Sequence, residues 1–515
     1  MSPRGDSSSS TDVLIVGSGP TGLVLALALA KLGVRARVVD KAATTGTTSR
    51  ALAVQARTLE LYDQLGLADD VVARGLRVPG VNFWVDGARQ VRVELGPIGE
   101  GKTPYPYALI FPQDEHEALL VERLHQAGGT VERPVELVNL EVESSGVLAY
   151  LRRADGSIDA CRATYVAGCD GARSRVRESI RAGFPGGTYE HLFYVADVEA
   201  SGRVVDGELH LMLDRAGFLG VFPLAGGSRA RLVGTIEDGT IEDGTTEDGR
   251  ARVGREATWA DVDVAAVERA GIQIARVNWF STYRVHHRVA DRFRRGPVFL
   301  LGDAAHIHSP VGGQGMNTGI GDAVNLAWKL AAVLGGRAKA DVLDTYEPER
   351  IAFARRLVRT TDRVFQGVSS EGIVADVVRK QVMPRVFAAI AHTERGRRFL
   401  FRTVSQTAIQ YRTSAWSEGN VGWLHGGDRL PWLGENYAPL RSLDWQIHAY
   451  GTATAGLADR FASRRIPVHS FGTLPRGVPA VLLVRPDGYV AAAFPPGGAL
   501  ERLERTLDAH AIVGR

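Results

Sequence analysis

Residues 11–41 of this 515-residue chain read TDVLIVGSGPTGLVLALALAKLGVRARVVDK, and they decide its fold. Residues 13–16 are a continuous apolar run, which is typical of a parallel strand buried on both faces. A helix is predicted from about Pro20 to Leu32, and the next strand-like run, RARVVD, ends in Asp40. Strand, helix and strand in this order predict a βαβ unit and therefore a doubly wound α/β domain.

The turn between the first strand and the helix carries the glycine spacing of a dinucleotide site. We expect Gly17 to make the tight turn, Gly19 to let a pyrophosphate approach the backbone, and Gly22 to let helix and strand pack closely. The helix N-terminus adds free N–H groups and the positive end of its dipole. Asp40 suits a ribose diol and disfavours a 2′-phosphate, so NAD or FAD is predicted rather than NADP.

The composition predicts a soluble globular protein of two or three domains, because 515 residues exceed one compact core. The 61 basic and 58 acidic residues are interspersed, so no nucleic-acid surface is predicted. Cys161 and Cys169 are the only cysteines, which excludes a disulfide framework and favours the cytoplasm. Residues 1–10 are expected to form a disordered leader, and no apolar run is long enough to predict a membrane span.

Two later segments place an aspartate and a glycine together at the end of a predicted strand. In TYVAGCDGARSRVRESI the strand leads into Asp170 and Gly171, and a basic helix follows. In GPVFLLGDAAH the strand leads into Gly302 and Asp303. Doubly wound sheets bind ligands at the carboxyl ends of their strands, so both aspartates are candidate site residues.

With GSGPTG, CDGARSRVR and GDAAHIHSPVGGQGMNTGIGDAVNLAWKL in this order, the sequence resembles the FAD-dependent aromatic hydroxylases. These are single-component flavoprotein monooxygenases with the p-hydroxybenzoate hydroxylase fold. The resemblance covers about residues 11–360 and continues more weakly to the end. It is greatest to the branch that acts on polyketides, phenols and hydroxyphenyl-propionates and carries a C-terminal thioredoxin-like domain.

The resemblance implies an α/β fold in which an FAD-binding Rossmann-like domain is interleaved with an antiparallel-sheet substrate domain. The runs ELHLMLD, GFLGVFPL, ARLVGTI and QIARVNWFSTYRV predict strands of that sheet. The C-terminal unit has no cysteine, so we expect a structural or dimer-contact role rather than redox activity. The expected segments are 11–75, 105–180 and 285–350 for FAD, 76–104 and 181–284 for the substrate sheet, 351–407 for a helical connector, and 408–515 for the thioredoxin-like domain.

The same resemblance assigns roles in FAD binding. Arg50 and Gln113 would lie along the ribityl and phosphate part of the cofactor, although a surface ion pair and a loop amide are the respective alternatives. Asp170 would serve both FAD and the passing nicotinamide nucleotide, and Asp303 would bind a ribitol hydroxyl. The full set of candidate cofactor residues is Gly17, Gly19, Pro20, Thr21, Gly22, Asp40, Lys41, Arg50, Gln113, Asp170, Gly302, Asp303, Pro310, Gly313, Gly315, Met316 and Asn317.

Residues 310–319 are rich in glycine and run into the helix of NTGIGDAVNLAWKLAAVL. We expect this segment to form a narrow, backbone-lined bed for the flavin, with helix N–H groups facing the negative charge of its reduced form. The substrate needs an apolar pocket that excludes water. The candidate lining residues, for which core packing is the alternative, are Phe218, Phe222, Pro223, Trp279, Tyr283 and Pro310.

No general base is evident in the sequence. His306 and His308 flank the flavin segment, but no carboxylate or cysteine cluster completes a metal site, so no metal is predicted. We expect His306 to be structural. The threefold Glu-Asp-Gly repeat in residues 236–250 is interpreted as a solvated acidic loop, because its spacing does not match an EF-hand.

The activity implied by the resemblance is that of an FAD-dependent aromatic monooxygenase. Such an enzyme hydroxylates a phenolic or polyketide compound with NAD(P)H and O₂ through a flavin C4a-hydroperoxide. Three alternatives stay open: Baeyer–Villiger oxygen insertion on a polycyclic substrate, a flavin-dependent dehydrogenase without oxygen transfer, and a non-catalytic FAD-binding protein. A monomer or homodimer without nucleic-acid or membrane partners is expected.

Overall fold

The computed structural model describes residues 9–46, 51–85, 87–94, 96–214, 217–236, 257–308, 313–369, 393–451 and 456–515. The helices in these ranges are α1 (Pro20–Lys31), α2 (Ala56–Leu65), α3 (Ala68–Arg74), α4 (Gly96–Gly99), α5 (Gln113–Gln126), α6 (Arg175–Ser179), α7 (Val264–Arg269), α8 (Gly315–Leu334), α9 (Tyr346–Ser369), α10 (Glu394–Val404), α11 (Leu457–Ala462) and α12 (Ala499–His510). Short 3₁₀ helices lie at Trp259–Asp261, Gly302–Ala304, Ala340–Thr345 and Glu435–Ser442.

The strands alternate with these helices along the chain. They are β1 (Ser9–Val16), β2 (Ala36–Val39), β3 (Ala53–Val54), β4 (Leu76–Val78), β5 (Gly80–Val85), β6 (Ala88–Glu94), β7 (Ala108–Ile110), β8 (Val131–Glu132), β9 (Val135–Glu143), β10 (Gly146–Arg153), β11 (Ile158–Gly168), β12 (Gly186–Gly202), β13 (Leu209–Asp214), β14 (Gly217–Pro223), β15 (Arg229–Ile236), β16 (Ile272–Val289), β17 (Arg294–Arg295), β18 (Val298–Leu300), β19 (His306–Ile307), β20 (Asn420–Val421), β21 (Leu424–His425), β22 (Gln446–Tyr450), β23 (Val468–Phe471), β24 (Ala480–Val484) and β25 (Val490–Phe494).

The first large sheet is the predicted doubly wound one. Its strand order is β17-β18-β11-β1-β2-β8, and β18, β11, β1, β2 and β8 run parallel. The βαβ unit β1-α1-β2 is confirmed, and α1 is buried along most of its length because sheet and helices cover it on both sides. The expected leader is too long by two residues, since β1 begins at Ser9, where Ser9 and Ser10 continue the pairing with β11. Residues 1–8 lie outside the described ranges.

The second large sheet contains the strands that the sequence predicted for the substrate domain. Its order is β19-β16-β12-β15-β14-β13-β5-β6. The neighbouring pairs among β13, β14, β15, β12 and β16 are all antiparallel, as expected, whereas β5 pairs with β13 in parallel. These two strands are far apart in sequence, and no tight turn forces them to run antiparallel.

Residues 76–78, at the expected start of the substrate segment, do not join this second sheet, and the domain boundary itself stays a prediction. Strand β4 instead joins β3 and β7 in a three-stranded sheet beside the parallel one. The reason is apolar packing: Val78 and Ile110 are buried in one cluster with Leu52 and Leu224. The first strand after residue 76 that joins the second large sheet is therefore β5.

The C-terminal unit has a four-stranded sheet in the order β23-β22-β24-β25. β22 and β23 are parallel with α11 between them, whereas β24 and β25 form the predicted hairpin around Asp487 and Gly488. This order of elements accords with the expected one, and the thioredoxin-like class stays a prediction. Of the expected helical connector, α9 and α10 are described, whereas residues 370–392 lie outside the described ranges. Across the described residues, no helix has both the length and the apolarity to cross a membrane.

Candidate active site

Two of the three glycine turns meet at the carboxyl ends of β1 and β11. Gly17 has φ +100°, and a Cβ there would lie 2.3 Å from the carbonyl oxygen of Cys169. A Cβ on Gly22 would lie 2.0 Å from the carbonyl oxygen of Gly17. The roles predicted for both glycines are therefore supported, because any side chain there would overlap backbone.

The third turn meets the first around the side chain of Thr21. A Cβ on Gly302 would lie 2.7 Å from Thr21 Oγ1, and a Cβ on Gly319 would lie 2.2 Å from the same atom. Gly313 has φ +60°, and a Cβ added there would lie 2.8 Å from the Cβ of Ala53. Packing against protein atoms thus constrains Gly302, Gly313 and Gly319, and the flavin bed expected at residues 310–319 stays a prediction.

The start of α1 fits a pyrophosphate. A Cβ on Gly19 would meet no atom within 4 Å, so this part of the turn faces open space. No side chain caps the helix, and Pro20 occupies its first position. The first N–H groups of a helix have no partner within it, so the amides that begin α1 can bind an anion.

Asp40 shapes the loop that follows β2. Its Oδ2 accepts hydrogen bonds from the Ser18 amide at 2.7 Å and the Ser18 hydroxyl at 2.5 Å, and its Oδ1 accepts from the Ala42 amide at 2.8 Å. A surface cleft of about 280 Å³ opens beside it. The residues that line this cleft are Lys41, Pro134, Glu136, Arg152, Arg153 and Ala154.

Gln113 begins α5 and holds the neighbouring loop. Its Oε1 accepts from the Ala51 amide at 3.2 Å, and its Nε2 donates to Glu117 Oε1 at 2.8 Å. Burial raises the pKa of Glu117, although the bond from Gln113 works against this. Arg50 lies outside the described residues, so its proposed role stays a prediction.

Asp170 uses its carboxylate to cap α6. It accepts from the Ser174 hydroxyl at 2.5 Å and from the amides of Arg175 and Val176 at 2.6 and 3.1 Å. Burial raises its pKa despite these bonds, and burial also raises the pKa of the adjacent Cys169 thiol. In this structure Asp170 is a structural capping group, and a cofactor role would use oxygen lone pairs that the cap leaves.

Asp303 is exposed in the short 3₁₀ helix at the end of β18. The turn around it is anchored by buried groups, because Arg177 Nη1 donates to the carbonyl of Ala304 at 3.0 Å. His306 is buried, packs against Phe293 and lies 2.8 Å from a carboxylate oxygen of Asp322. The structural role predicted for His306 is therefore supported.

The N-terminus of α8 has no side-chain cap, like that of α1. The Asn317 side chain is already saturated: Oδ1 accepts from Gln55 N and Thr58 Oγ1, while Nδ2 donates to the carbonyls of Ala53 and Gly313. Its side chain thus fixes the loop, and only its backbone remains for a cofactor. Gly315 and Met316 open the helix beside it, and Pro310 lies outside the described residues.

One face of the second large sheet, which contains β12, β14, β15 and β16, carries an apolar cluster that we call the aromatic face. Four of the five described candidates for substrate contact lie on it, and all four are half-buried. Pro223 was wrongly grouped with them, since strand alternation places it on the opposite face of the sheet. Leu219 and Val221 pack in the apolar cluster on that face. The members of the aromatic face are Phe193, Val195, Phe218, Phe222, Val233, Trp279, Tyr283 and Val285.

The aromatic face is connected to Gly313, just before α8, through packed side chains. Phe222 packs both in this face and in the neighbouring cluster that contains Leu52 and Ala53. Ala53 is the residue that Gly313 approaches, and its carbonyl accepts from Asn317 Nδ2 at 2.8 Å. Ala53 and Phe222 therefore link Gly313 to the aromatic face.

A buried ion pair on this side of the sheet was missed from the sequence. Arg231 Nη2 donates to Asp197 Oδ2 at 2.7 Å, and the guanidinium lies 5.5 Å from the Trp279 ring centre. The sequence ARLVGTI contains a signal for this pair, because Arg231 and Val233 are two residues apart in a strand and must lie on the same, apolar face. His210, bonded to Asp206 at 2.8 Å, lies on the opposite face with Met212 and is no candidate base.

No group of three or more potential metal ligands occurs among the described residues. Most of the predicted acidic repeat, residues 237–250, lies outside them. The described part of the site therefore consists of two uncapped helix ends, three packed turns and an aromatic wall.

Comparison with known proteins gives a consistent assignment. A family model described as an FAD binding domain matches residues 10–361. The chain is 36% identical to 6-methylpretetramide 4-monooxygenase of Streptomyces rimosus, covering 99% of this chain and 95% of that protein. It is 34% identical to rifampicin monooxygenase of Streptomyces venezuelae, covering 78% of this chain and 79% of that protein. The solved structure of OxyS anhydrotetracycline hydroxylase from Streptomyces rimosus superposes with a TM-score of 0.77 at 29% identity, covering 97% and 99% of the two chains.

Proposed function

The chain belongs to the family of FAD-binding monooxygenases that act on aromatic compounds, and from this premise we propose that it hydroxylates a phenolic polyketide bound against the aromatic face. The compounds in the names of the two relatives, 6-methylpretetramide and rifampicin, favour a polyketide over a simple phenol. NAD(P)H is the electron donor typical of the family. The parallel sheet with its helices is the proposed FAD-binding domain, and the second large sheet is the proposed substrate domain.

The observation that carries the proposal is the position of the aromatic face beside the segment that leads into α8. Half-buried rings such as Trp279 and Tyr283 offer flat apolar surface to a polycyclic ring system. An apolar wall also keeps water away from the reacting atoms.

The cofactor residues follow from the fit of the turns. The amides at Gly19 and the start of α1 would hold the pyrophosphate, Asp40 would hold the adenosine ribose, and Asp303 would hold the ribityl chain. The N-terminus of α8, which has no side-chain cap, would offer N–H groups to the negative charge of the reduced flavin. When bound, FAD supplies reduction by NAD(P)H and transfer of one O₂ atom to the substrate, with the other atom released as water.

The test is a reaction of the purified FAD-loaded protein with NADPH or NADH, O₂ and a panel of phenolic polyketides. We expect one compound to accelerate NAD(P)H oxidation and to gain one ¹⁸O atom from ¹⁸O₂ on a ring carbon. A ring-inserted product would replace hydroxylation by Baeyer–Villiger chemistry. NAD(P)H oxidation that no compound accelerates would overturn the proposal.

Two neighbouring residues of β16 give a matched pair of variants. Trp279 lies on the aromatic face, whereas Phe280 packs on the opposite side with Tyr194 and Trp259. We expect Trp279→Leu to raise KM for the aromatic substrate at least about tenfold, since a ring contact is lost. Phe280→Leu should lower stability without this change in KM. Equal KM values in the two variants would contradict the assignment of the substrate face.

A further inference from the structure

One carboxylate oxygen holds both ends of the GDAAH turn (residues 302–306), which carries Asp303. Oδ2 of Asp322 accepts from the Gly302 amide at 3.0 Å and lies 2.8 Å from His306 Nε2. Asp322 is fully buried in α8, and Gly302 adopts φ +56° at the start of the turn. Asp303 is the exposed residue between the two anchored ends.

The second oxygen of Asp322 is held from α9. Arg350 Nε donates to Asp322 Oδ1 at 2.6 Å, and the same guanidinium donates to the Thr318 carbonyl at 3.0 Å and to the Tyr411 hydroxyl at 2.7 Å. A Cβ on Gly321 would lie only 3.0 Å from Arg350 Nη2, so the backbone leaves room for this guanidinium. The carboxylate is thus oriented through both of its oxygens.

The neighbours of this carboxylate favour its ionised form despite its burial. Burial alone raises the pKa of Asp322, but Arg350, His306 and the Gly302 amide together bring it below its usual range. An ionised acceptor makes stronger hydrogen bonds to N–H donors than a neutral one. The anchoring bonds of the GDAAH turn are therefore of the strong, charge-assisted kind.

We propose that Asp322 is a positioning residue for the cofactor, which fixes the GDAAH turn so that Asp303 meets the ribityl chain of FAD in one geometry. This inference rests on the proposed placement of FAD at that turn. Tyr411 extends the same support from the start of the C-terminal unit, since its hydroxyl holds Arg350. The turn itself then needs no rigid side chain, which accords with its small residues.

The test compares FAD binding and apoprotein stability in Asp322→Asn and a matched control. Lys329→Met removes another buried charge two turns further along α8, where Lys329 contacts Glu349 and Asn325 rather than the turn. In Asp322→Asn we expect the Kd for FAD to rise at least about tenfold and the visible flavin spectrum to shift. Lys329→Met should lower the Tm of the apoprotein about as much as Asp322→Asn does. Its affinity for FAD should stay within about twofold of the wild type.

A milder variant keeps the inference open to refutation if Asp322→Asn does not fold. Tyr411→Phe removes a single hydroxyl from Arg350, and we expect a rise of about two- to threefold in the Kd for FAD. Unchanged affinity in the folded variants, or an equal loss in Lys329→Met, would overturn the positioning role. A wild-type protein that binds no FAD would instead refute the proposed function, so the two failures are distinct.

Discussion

At the scale of single residues, Gly17 and Gly19 stand two positions apart and serve different ends. Gly17 has a left-handed backbone and sits against the Cys169 carbonyl, so the fold itself requires a glycine there. Gly19 has an ordinary φ of −70° and open space where a side chain would be. Only a ligand in that space would make Gly19 necessary.

This difference predicts opposite effects of the same substitution. Gly19→Ala should leave the free energy of unfolding of the apoprotein within about 1 kcal/mol of the wild type, because only the N-cap preference is lost. It should raise the Kd for FAD at least about tenfold, measured by titration of the flavin absorbance. Gly17→Ala should destabilise the apoprotein by about 2–3 kcal/mol, because the left-handed backbone and the backbone contact are both strained. FAD affinity that survives Gly19→Ala unchanged would remove the pyrophosphate from this turn.

At the scale of elements, α1 and α8 approach each other closely through small residues. Thr21 of α1 fits between Gly302 and Gly319, and the hypothetical Cβ of Gly319 lies 2.2 Å from its Oγ1 and 3.2 Å from the Gly302 Cα. The glycine surplus before and within α8 is thus partly a packing requirement between helices. The result is that two helix N-termini and one turn converge on the same place.

The close approach predicts a coupled pair of substitutions. Gly319→Ala should destabilise the apoprotein, because overpacking a tight helix contact costs about 1–3 kcal/mol. Thr21→Ala removes the clashing Oγ1, so the double variant should recover at least about half of this loss in urea unfolding. Strict additivity of the two substitutions would show that the side chain of Thr21 does not set the helix distance.

At the scale of the whole molecule, the C-terminal unit shares its core with the parallel sheet. Trp416 and Trp445 belong to the same apolar cluster as the buried strands β1 and β11, and Trp445 packs edge-on against Trp328 of α8. Buried charges also cross between the units. Arg485 donates to Glu349 at 2.8 Å and to Asp487 at 2.7 Å.

The buried charges predict that the C-terminal unit is needed for the fold of the rest. Arg485→Leu removes the guanidinium that bridges the buried carboxylates of Glu349 and Asp487. It should cost about 3–5 kcal/mol in urea unfolding, as expected when one partner of a buried ion pair is removed. Arg460→Leu is the control, because Arg460 pairs with Glu504 on the surface of the same unit. The control should change stability by no more than about 0.5 kcal/mol. Similar losses in both variants would contradict the importance of burial.

Two buried histidines predict how stability depends on pH. Burial lowers the pKa of His116 and of His448 to about 3 from an ordinary 6.5. Between these values the unfolded chain binds more protons, so the free energy of unfolding should fall as pH falls below 6.5. Two such groups can lower the free energy of unfolding by at most about 2.7 kcal/mol for each pH unit. Urea unfolding from pH 7.5 to 5 should show a steeper slope than in the double variant His116→Gln and His448→Gln; equal slopes would contradict the prediction.

The predictable part of the site is the part encoded in short stretches. Gly17, Gly22 and the strands on either side of α1 were predicted because turn, strand and helix are neighbours in sequence. Asp322 and Arg231 were missed because His306 and Asp197 lie 16 and 34 residues away from them in sequence, and a charge in an apolar run does not say what it binds. Pro223 was misplaced since alternation decides its face, and the pocket was inferred from residue type alone.

By itself the sequence determined the βαβ unit, the order of the three glycine turns and the family. These depend on local backbone requirements and on short motifs that can be recognised without knowing which residues they contact. The tertiary structure decided which glycines serve packing and which face a ligand. It also decided that the side chains of Asp170 and Asn317 form hydrogen bonds within the protein, and that Asp322 holds the GDAAH turn. Such choices depend on which atoms meet across the fold, and only the packed chain brings them within hydrogen-bond distance.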